Sequence, residues 1–366
     1  MKILFITDKD VSLTFSGAQV MTNRNYLSLI EIFGKENIDV LQLEFLFYKN
    51  RFIKLINLLK GYNDFLNPKI VKNITEGSDK FDHIILDFST WGIISKKLKL
   101  KGYKGNIHCF FHNVEFSFHW QERRFSSIIN LIKLYGIYIN EKLSCKYSDT
   151  IIALNIRDAK NINKYYGRKP DAIIPISFVD RYNNSNKNLE KINPPYNLLF
   201  IGSYFWANVK GIKWFMDQVL PYIENVKLTV AGNGMNQLRE VINIDNIVLY
   251  DKVRDLKLLI ENADFLVLPI FDGSGMKVKT AEGLMYGKNI IGTTEAFMGY
   301  DLNYQKVGAL CNTKEEFIDF FNSTSLKNYN RFNEYSRNQF KSKYSFDATL
   351  VQFSEIFELR KTKIIK

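Results

Sequence analysis

The stretch Phe265-Leu-Val-Leu-Pro-Ile-Phe-Asp-Gly-Ser-Gly-Met-Lys-Val-Lys-Thr-Ala-Glu-Gly-Leu-Met-Tyr-Gly-Lys288 decides the fold. Its first five residues have the length and apolarity of a short buried strand. Two glycines around a serine follow, and then a helical pattern carrying Lys277, Lys279 and Glu282. A glycine turn that feeds a helix presents free backbone N–H groups at the positive end of the helix dipole, where an anion binds well. The lysines add full positive charges there. Counted from the turn, Glu282 lies about two helical turns on, roughly 12 Å at ~1.5 Å per residue. That reaches past a phosphate toward the hydroxyls of an attached sugar or ribose.

Outward from this segment, short apolar runs alternate with helical patterns along the whole chain. The strand candidates are 2–7, 39–43, 83–87, 107–111, 150–154 and 172–176, then 197–201, 227–231, 247–250, 265–269 and 289–292. Runs of this kind between helices are the pattern of parallel strands buried on both faces. The expected class is α/β, with two doubly wound Rossmann-like sheets and ligands at the carboxyl ends of their strands. At 366 residues the chain has the length of two domains. The polar, proline-ended stretch Tyr182-Asn-Asn-Ser-Asn-Lys-Asn-Leu-Glu-Lys-Ile-Asn-Pro-Pro195 is the clearest linker. The expected domains are therefore 1–182 and 197–344, joined by 183–196. The stretch 345–366 reads as an amphipathic helix (Phe346, Leu350, Phe353, Ile356, Phe357) able to pack back on the first domain.

The formal charge of +12 favours anionic partners: phosphorylated small molecules, anionic membrane surfaces or polyanions. Nucleic acid fits poorly, because the basic residues are spread over both halves without a recognition motif. The start of the chain has too short an apolar run for a signal peptide, and no window has the length of a membrane span. Cys109, Cys145 and Cys311 lack Cys-x-x-Cys spacing and read as small buried hydrophobes. The expected location is the cytoplasm.

Two further glycine turns end strands of the second half: Gly202, followed by Ser203, and Gly232-Asn-Gly234. After the first, a helix is expected to open near Val209, with Lys210 in its first turn. A cation there opposes the helix dipole, which points to an anion ligand, although an ordinary surface lysine explains it equally well. In the first half Gly17 follows the first strand, and His112-Asn-Val-Glu115 follows the fourth. The stretch 45–60 has apolar residues at 45, 48, 52, 55, 56 and 59 interleaved with Lys49, Arg51, Lys54 and Lys60. It reads as a basic amphipathic helix, either an ordinary surface helix or one that lies on an anionic membrane.

These motifs resemble the family-4 glycosyltransferases, two-domain GT-B enzymes that bind a nucleotide-sugar in the cleft between their domains. Gly273-Ser-Gly-Met-Lys-Val-Lys-Thr-Ala-Glu282 is similar to the donor-binding signature, and Phe200 to Phe215 to the opening of the second domain. His112-Asn-Val-Glu115 and Ser148 to Asn155 are similar to first-domain landmarks. The resemblance implies that Glu282 bonds the ribose and that N–H groups of Ser274, Gly275, Met276 and Lys277, with Lys210, hold the diphosphate. It implies that Gly17 lets the opposite loop approach, that His112 lies beside the transferred sugar and that Val253 flanks the base. His112, Lys210 and Glu282 then carry the catalysis. It further implies retention of configuration without a metal or cofactor, with a UDP-sugar as donor and a glycan as acceptor.

Two positions depart from the family pattern. Ser274 stands where the fullest motif has a carboxylate, and Ser203 where an arginine is frequent, so charge neutralisation falls on Lys210, Lys277 and Lys279. The leading expectation is transfer of a sugar to a glycan that is lipid-linked or part of a surface polysaccharide, at the inner face of the membrane. A non-catalytic partner subunit is the alternative that the two serines motivate. A nucleotide-sugar epimerase shares the architecture but needs a second acid–base pair.

Overall fold

Each apolar run of the sequence becomes a strand because it can be covered from both sides by helices. The computed structural model describes residues 1–13, 16–121, 128–183, 189–241, 246–253 and 255–358. In the first unit the order is β1 (Ile3–Thr7), α1 (Gly17–Phe33), β2 (Ile38–Gln42), α2 (Arg51–Leu59), α3 (Pro68–Glu76), β3 (His83–Leu86) and α4 (Gly92–Lys101). Then come β4 (Asn106–Phe111), α5 (Glu115–Gln121), α6 (Ile128–Tyr147), β5 (Thr150–Ala153), α7 (Ile156–Tyr166) and β6 (Ala172–Ile173). The strands form one parallel sheet ordered β2-β1-β3-β4-β5-β6.

The second unit contains β7 (Tyr196–Ile201), α8 (Trp206–Gln218), β8 (Val226–Ala231), β9 (Ile247–Tyr250), α9 (Lys257–Asn262), β10 (Phe265–Leu268) and α10 (Val278–Met285). It continues through β11 (Asn289–Gly292), α11 (Tyr304–Val307), β12 (Gly308–Leu310), α12 (Lys314–Phe321) and α13 (Glu334–Gln339). Its parallel sheet is ordered β12-β11-β10-β7-β8-β9. All eleven expected strands are present. β12, a Gly-Ala-Leu triplet, gives no apolar run and was not expected. Burial on both faces holds for the central strands but not for the edge strands β2, β6 and β9, where Val40, Ile173, Val248 and Tyr250 are exposed.

The first unit comprises Met1–Phe178 and the segment from Thr349 onward, and the second is Val179–Ala348. The division falls before 182 because Arg337 binds Asp180 through both guanidinium nitrogens, at 2.9 and 2.5 Å, and Tyr182 stacks on Phe332. Of the expected linker, 184–188 lie outside the described residues. The stretch that follows packs on the second unit: Ile192 is fully buried in its core and donates its N–H to the Tyr329 carbonyl. The closing helix α14 (Phe346–Glu358) completes the first unit's core, where Phe353 stacks on Phe110 and Phe357 packs on Phe33, His83 and His108.

The helix expected over 45–60 is shorter. Asn50 accepts N–H bonds from Phe52 and Ile53 and so caps α2 at its start, leaving 45–50 outside the helix. Among the described residues no helix is long and apolar enough to cross a membrane. The three cysteines are buried thiols, and burial pushes Cys109 and Cys311 up to about 12.

Candidate functional site

In the second unit the winding of the sheet reverses between β7 and β10, which lie side by side. Loops leaving two such strands diverge and open a crevice at their carboxyl ends. One is Gly202–Phe205 and the other Pro269–Lys277, the segment that opened the sequence. Two close approaches pack neighbouring elements onto these loops. A Cβ on Gly211 would stand 1.9 Å from the Pro269 carbonyl oxygen, so α8 lies directly on the exit of β10. A Cβ on Gly232 would stand 1.9 Å from the Gly202 carbonyl oxygen.

The helix after β7 opens at Trp206, not near Val209, because Phe205 is already the extended cap residue and Ala207 is buried. Lys210 is therefore the fifth helical residue rather than one of the first turn, and the dipole argument for it falls away. Its ammonium lies 2.7 Å from Asp272 Oδ2, with both side chains partly exposed at the crevice. Asp272 was not singled out from the sequence. It supplies a carboxylate to the turn two residues before Ser274.

Gly273 and Gly275 have φ of 128° and 63°, a region that disfavours side chains, and they shape the turn into α10. Among the described residues no side chain caps α10, whose first residue is Val278. Glu282 is accordingly four residues, about 6 Å of rise, from the start of the helix, less than the two turns counted from sequence. The two lysines are not one cationic pair. Lys277 folds back over the turn and donates to the carbonyls of Ser274 (3.2 Å) and Gly275 (3.3 Å) and to Glu295 (2.6 Å).

Lys279 reaches the other loop: it donates to Asn208 Oδ1 at 2.7 Å and stands 4.8 Å over the Phe200 ring. Asn208 in turn donates to the Ser203 carbonyl. Burial pulls Lys279 down to about 7, with the Lys277 charge adding to the effect and Glu282 opposing it. Glu282 is raised by burial, against the charges of Arg181 and Lys279. Arg181, 3.6 Å from Glu282, carries no motif and was missed in the sequence. Met276 is buried under the turn, and Val253 follows β9 half-buried.

In the first unit the reversal lies between β1 and β3. There Asp87, at the end of β3 and 1% exposed, accepts from Asn25 Nδ2 (2.6 Å), Thr22 Oγ1 (2.5 Å) and Thr7 Oγ1 (3.3 Å). His112, at the end of β4, places Nε2 3.2 Å from the same carboxylate, while its Nδ1 has no partner among the described residues. The fully buried Arg24 donates to Asn25 and to the Pro175 carbonyl, and burial pulls it down to about 9 although Asp87 raises it. Glu115 does not join His112. It starts α5, where burial, reinforced by the Glu141 charge, pushes it up to about 8. Gly17 is the first residue of α1, after the cap Ser16, and is not among the glycines with positive φ.

Residues 195–321 match the family model described as glycosyl transferases group 1. The similarity to group 1 glycosyl transferases lies in the second unit. The match covers β7 to α12, including the crevice and the Gly273–Glu282 segment. Over 177 residues the chain is 25% identical to an uncharacterized 44.6 kDa protein in the cps region of Klebsiella pneumoniae, a match spanning 44% of this chain and 45% of that protein. Solved structures share the fold across the whole chain. Anabaena HepE in complex with UDP and glucose superimposes with a TM-score of 0.66 at 12% identity, covering 98% of this chain and 100% of that one. Sucrose-phosphate synthase from Thermosynechococcus elongatus gives 0.73 at 12% identity, covering 99% and 100%. The lipopolysaccharide outer core galactosyltransferase WaaB, in its apo form, gives 0.66 at 15% identity, covering 98% and 99%. The fold is GT-B.

Proposed function

We propose that the protein is a retaining glycosyltransferase that moves a sugar from a UDP-sugar to a glycan acceptor, lipid-linked or part of a surface polysaccharide, at the cytoplasmic face of the membrane. The observation that carries this reading is the crevice between β7 and β10, where the start of α10, Lys279 bonded across to Asn208, and the half-buried Glu282 converge. The HepE structures with UDP and with UDP-glucose, the name of WaaB and the cps-region relative support it.

In this reading the N–H groups of Ser274 to Lys277 receive the diphosphate, and the ribose hydroxyls take the place of Arg181 at Glu282. Ser203 and Val253 line the donor's path. The acceptor oxygen bonds to the anomeric carbon as the bond from that carbon to the diphosphate oxygen breaks, and the acceptor's proton leaves with the diphosphate. Charge developing on the leaving group is met by fixed N–H dipoles, Lys210 and Lys279, the preorganised electrostatics that usually carry most of such catalysis. In the first unit His112, held at Nε2 by Asp87, keeps Nδ1 for a sugar hydroxyl.

The test is transfer from UDP-glucose and UDP-galactose measured for Glu282→Ala and Lys210→Ala, with UDP binding followed by thermal shift. Loss of transfer in both variants is expected. Unchanged transfer, or no UDP binding by the wild-type chain, overturns the assignment.

A further inference from the structure

A buried guanidinium ordinarily sits against a carboxylate, because an unpaired charge is costly to take out of water. Arg24, on α1, is 1% exposed, yet each acceptor it meets among the described residues is neutral. Its Nε donates to Asn25 Oδ1 at 2.9 Å. One terminal nitrogen donates to the Pro175 carbonyl at 2.9 Å and to Ser177 Oγ at 3.4 Å, and the other lies 3.8 Å from Met21 Sδ. The guanidinium rests 4.9 Å over the Phe353 ring of α14. The charge that answers it is the Asp87 carboxylate, reached through Asn25, and burial outweighs that attraction.

The direction of this chain of bonds is fixed by its ends, since arginine only donates and a carboxylate only accepts. Asn25, fully buried, therefore turns Oδ1 to Arg24 and Nδ2 to Asp87 Oδ1, 2.6 Å away. The same Oδ1 lies 3.2 Å from His112 Nε2, so in the neutral ring Nε2 carries the proton and Nδ1 keeps its lone pair. The His112 side chain is 6% exposed, and its Nδ1 has no partner among the described residues. The other Asp87 oxygen is held by Thr7 and Thr22, whose hydroxyls can rotate to follow it. The amide of Asn25, pinned by Arg24, cannot.

We propose that Arg24 is a positioning residue for His112. Through Asn25 it fixes the Asp87 carboxylate, and with it the plane and tautomer of the histidine ring. The inference rests on the reading of His112 as the residue beside the transferred sugar, and adds to that site a group that touches no substrate. The closing helix takes part in it. Phe353 lies under the guanidinium, and Ser177 shares a 2.6 Å hydrogen bond with Thr349 of α14. A planar fork of donors can join Asn25, Pro175 and Ser177 at once, which the point charge of a lysine cannot.

The experiment is nitrogen-15 NMR of the histidine rings in the full chain at about pH 8, where an ordinary imidazole is neutral. The chain has four histidines, and His112→Asn identifies the signal. Transfer from UDP-glucose and UDP-galactose is measured on the same samples. The wild-type ring is expected to carry its proton at Nε2. Arg24→Met is expected to mix the two tautomers and to lower kcat roughly 10–100-fold, with a much smaller change in donor KM. Arg24→Lys should fall between. Asn25→Ala keeps the bonds of Arg24 to Pro175 and Ser177 and should reproduce the Arg24→Met spectrum, so it decides the matter if Arg24→Met does not fold. A His112 signal unchanged in the folded variants, whatever their loss of stability, overturns the proposal, as does a wild-type ring protonated at Nδ1. The spectrum reads positioning without turnover, while UDP thermal shift and kcat read the transferase assignment, so the two fail separately.

Discussion

Lys279 holds its ammonium against an aromatic face and an amide oxygen, a setting that keeps it about half charged near neutrality. A diphosphate brought to it restores the full charge, so nucleotide binding should take up a proton at about pH 8. Calorimetry with UDP in buffers of different ionisation enthalpy should detect that proton, and Lys279→Met should abolish it. Glu282→Gln keeps the shape but removes the charge from the expected ribose contact. It should raise the KM for the UDP-sugar roughly 10–100-fold with a smaller change in kcat, as for a lost charge-assisted hydrogen bond. These two residues were legible because they share one turn-and-helix segment. Asp87, Arg181 and Asp272 were not. Asp87 gathers Thr7, Thr22 with Asn25, and His112 from three separate stretches, and only the folded sheet brings those groups to one carboxylate.

At the scale of elements, the contact of α8 with the exit of β10 through Gly211 sets the crevice. Gly211→Ala inserts a methyl group where the Pro269 carbonyl stands. It should cost about 1–3 kcal/mol in denaturant unfolding and weaken UDP binding even though no donor contact is removed. The strands and most helices could be read from apolar runs and periodicity. The start of α8 could not, because Phe205-Trp-Ala207 has neither a polar cap nor a break to mark it. The short β12 likewise has no pattern of its own and forms only because β11 offers it a hydrogen-bonding edge. α5 is a different case: its first N–H groups are satisfied from α6, where Glu141 accepts from Glu115 N (2.9 Å) and Phe116 N (3.1 Å). Glu141→Ala strands these donors and should destabilise the first unit by about 1–3 kcal/mol, measured by urea titration.

Across the whole molecule, the two units should answer pH in opposite directions. In the first, burial raises Glu115 to about 8 and Glu141 to about 7 from an ordinary 4.5, so the folded state binds more protons in that interval. Their stabilising contribution is complete below about 4.5 and is lost as pH rises through 7 to 8. In the second, Lys279 and Lys288 are lowered to about 7 from 10.5, so the unfolded state binds more protons and stability rises with pH between those values. Differential scanning calorimetry from about pH 6 to 9 should show one transition falling and the other rising. Glu115→Gln should flatten the first trend and Lys279→Met the second. Two sheets could be expected from the sequence rhythm, but their division at Phe178 could not, since the tie between Asp180 and Arg337 joins residues 157 positions apart. The return of α14 to the first unit has a consequence for synthesis on the ribosome. The pocket that Phe353 and Phe357 fill stays open while all of Val179–Ala348 is translated, about 10–35 s at ~5–20 residues per second. The amino-terminal half is therefore the first made and the last finished, and during that interval the nascent chain exposes an apolar surface that a chaperone can hold.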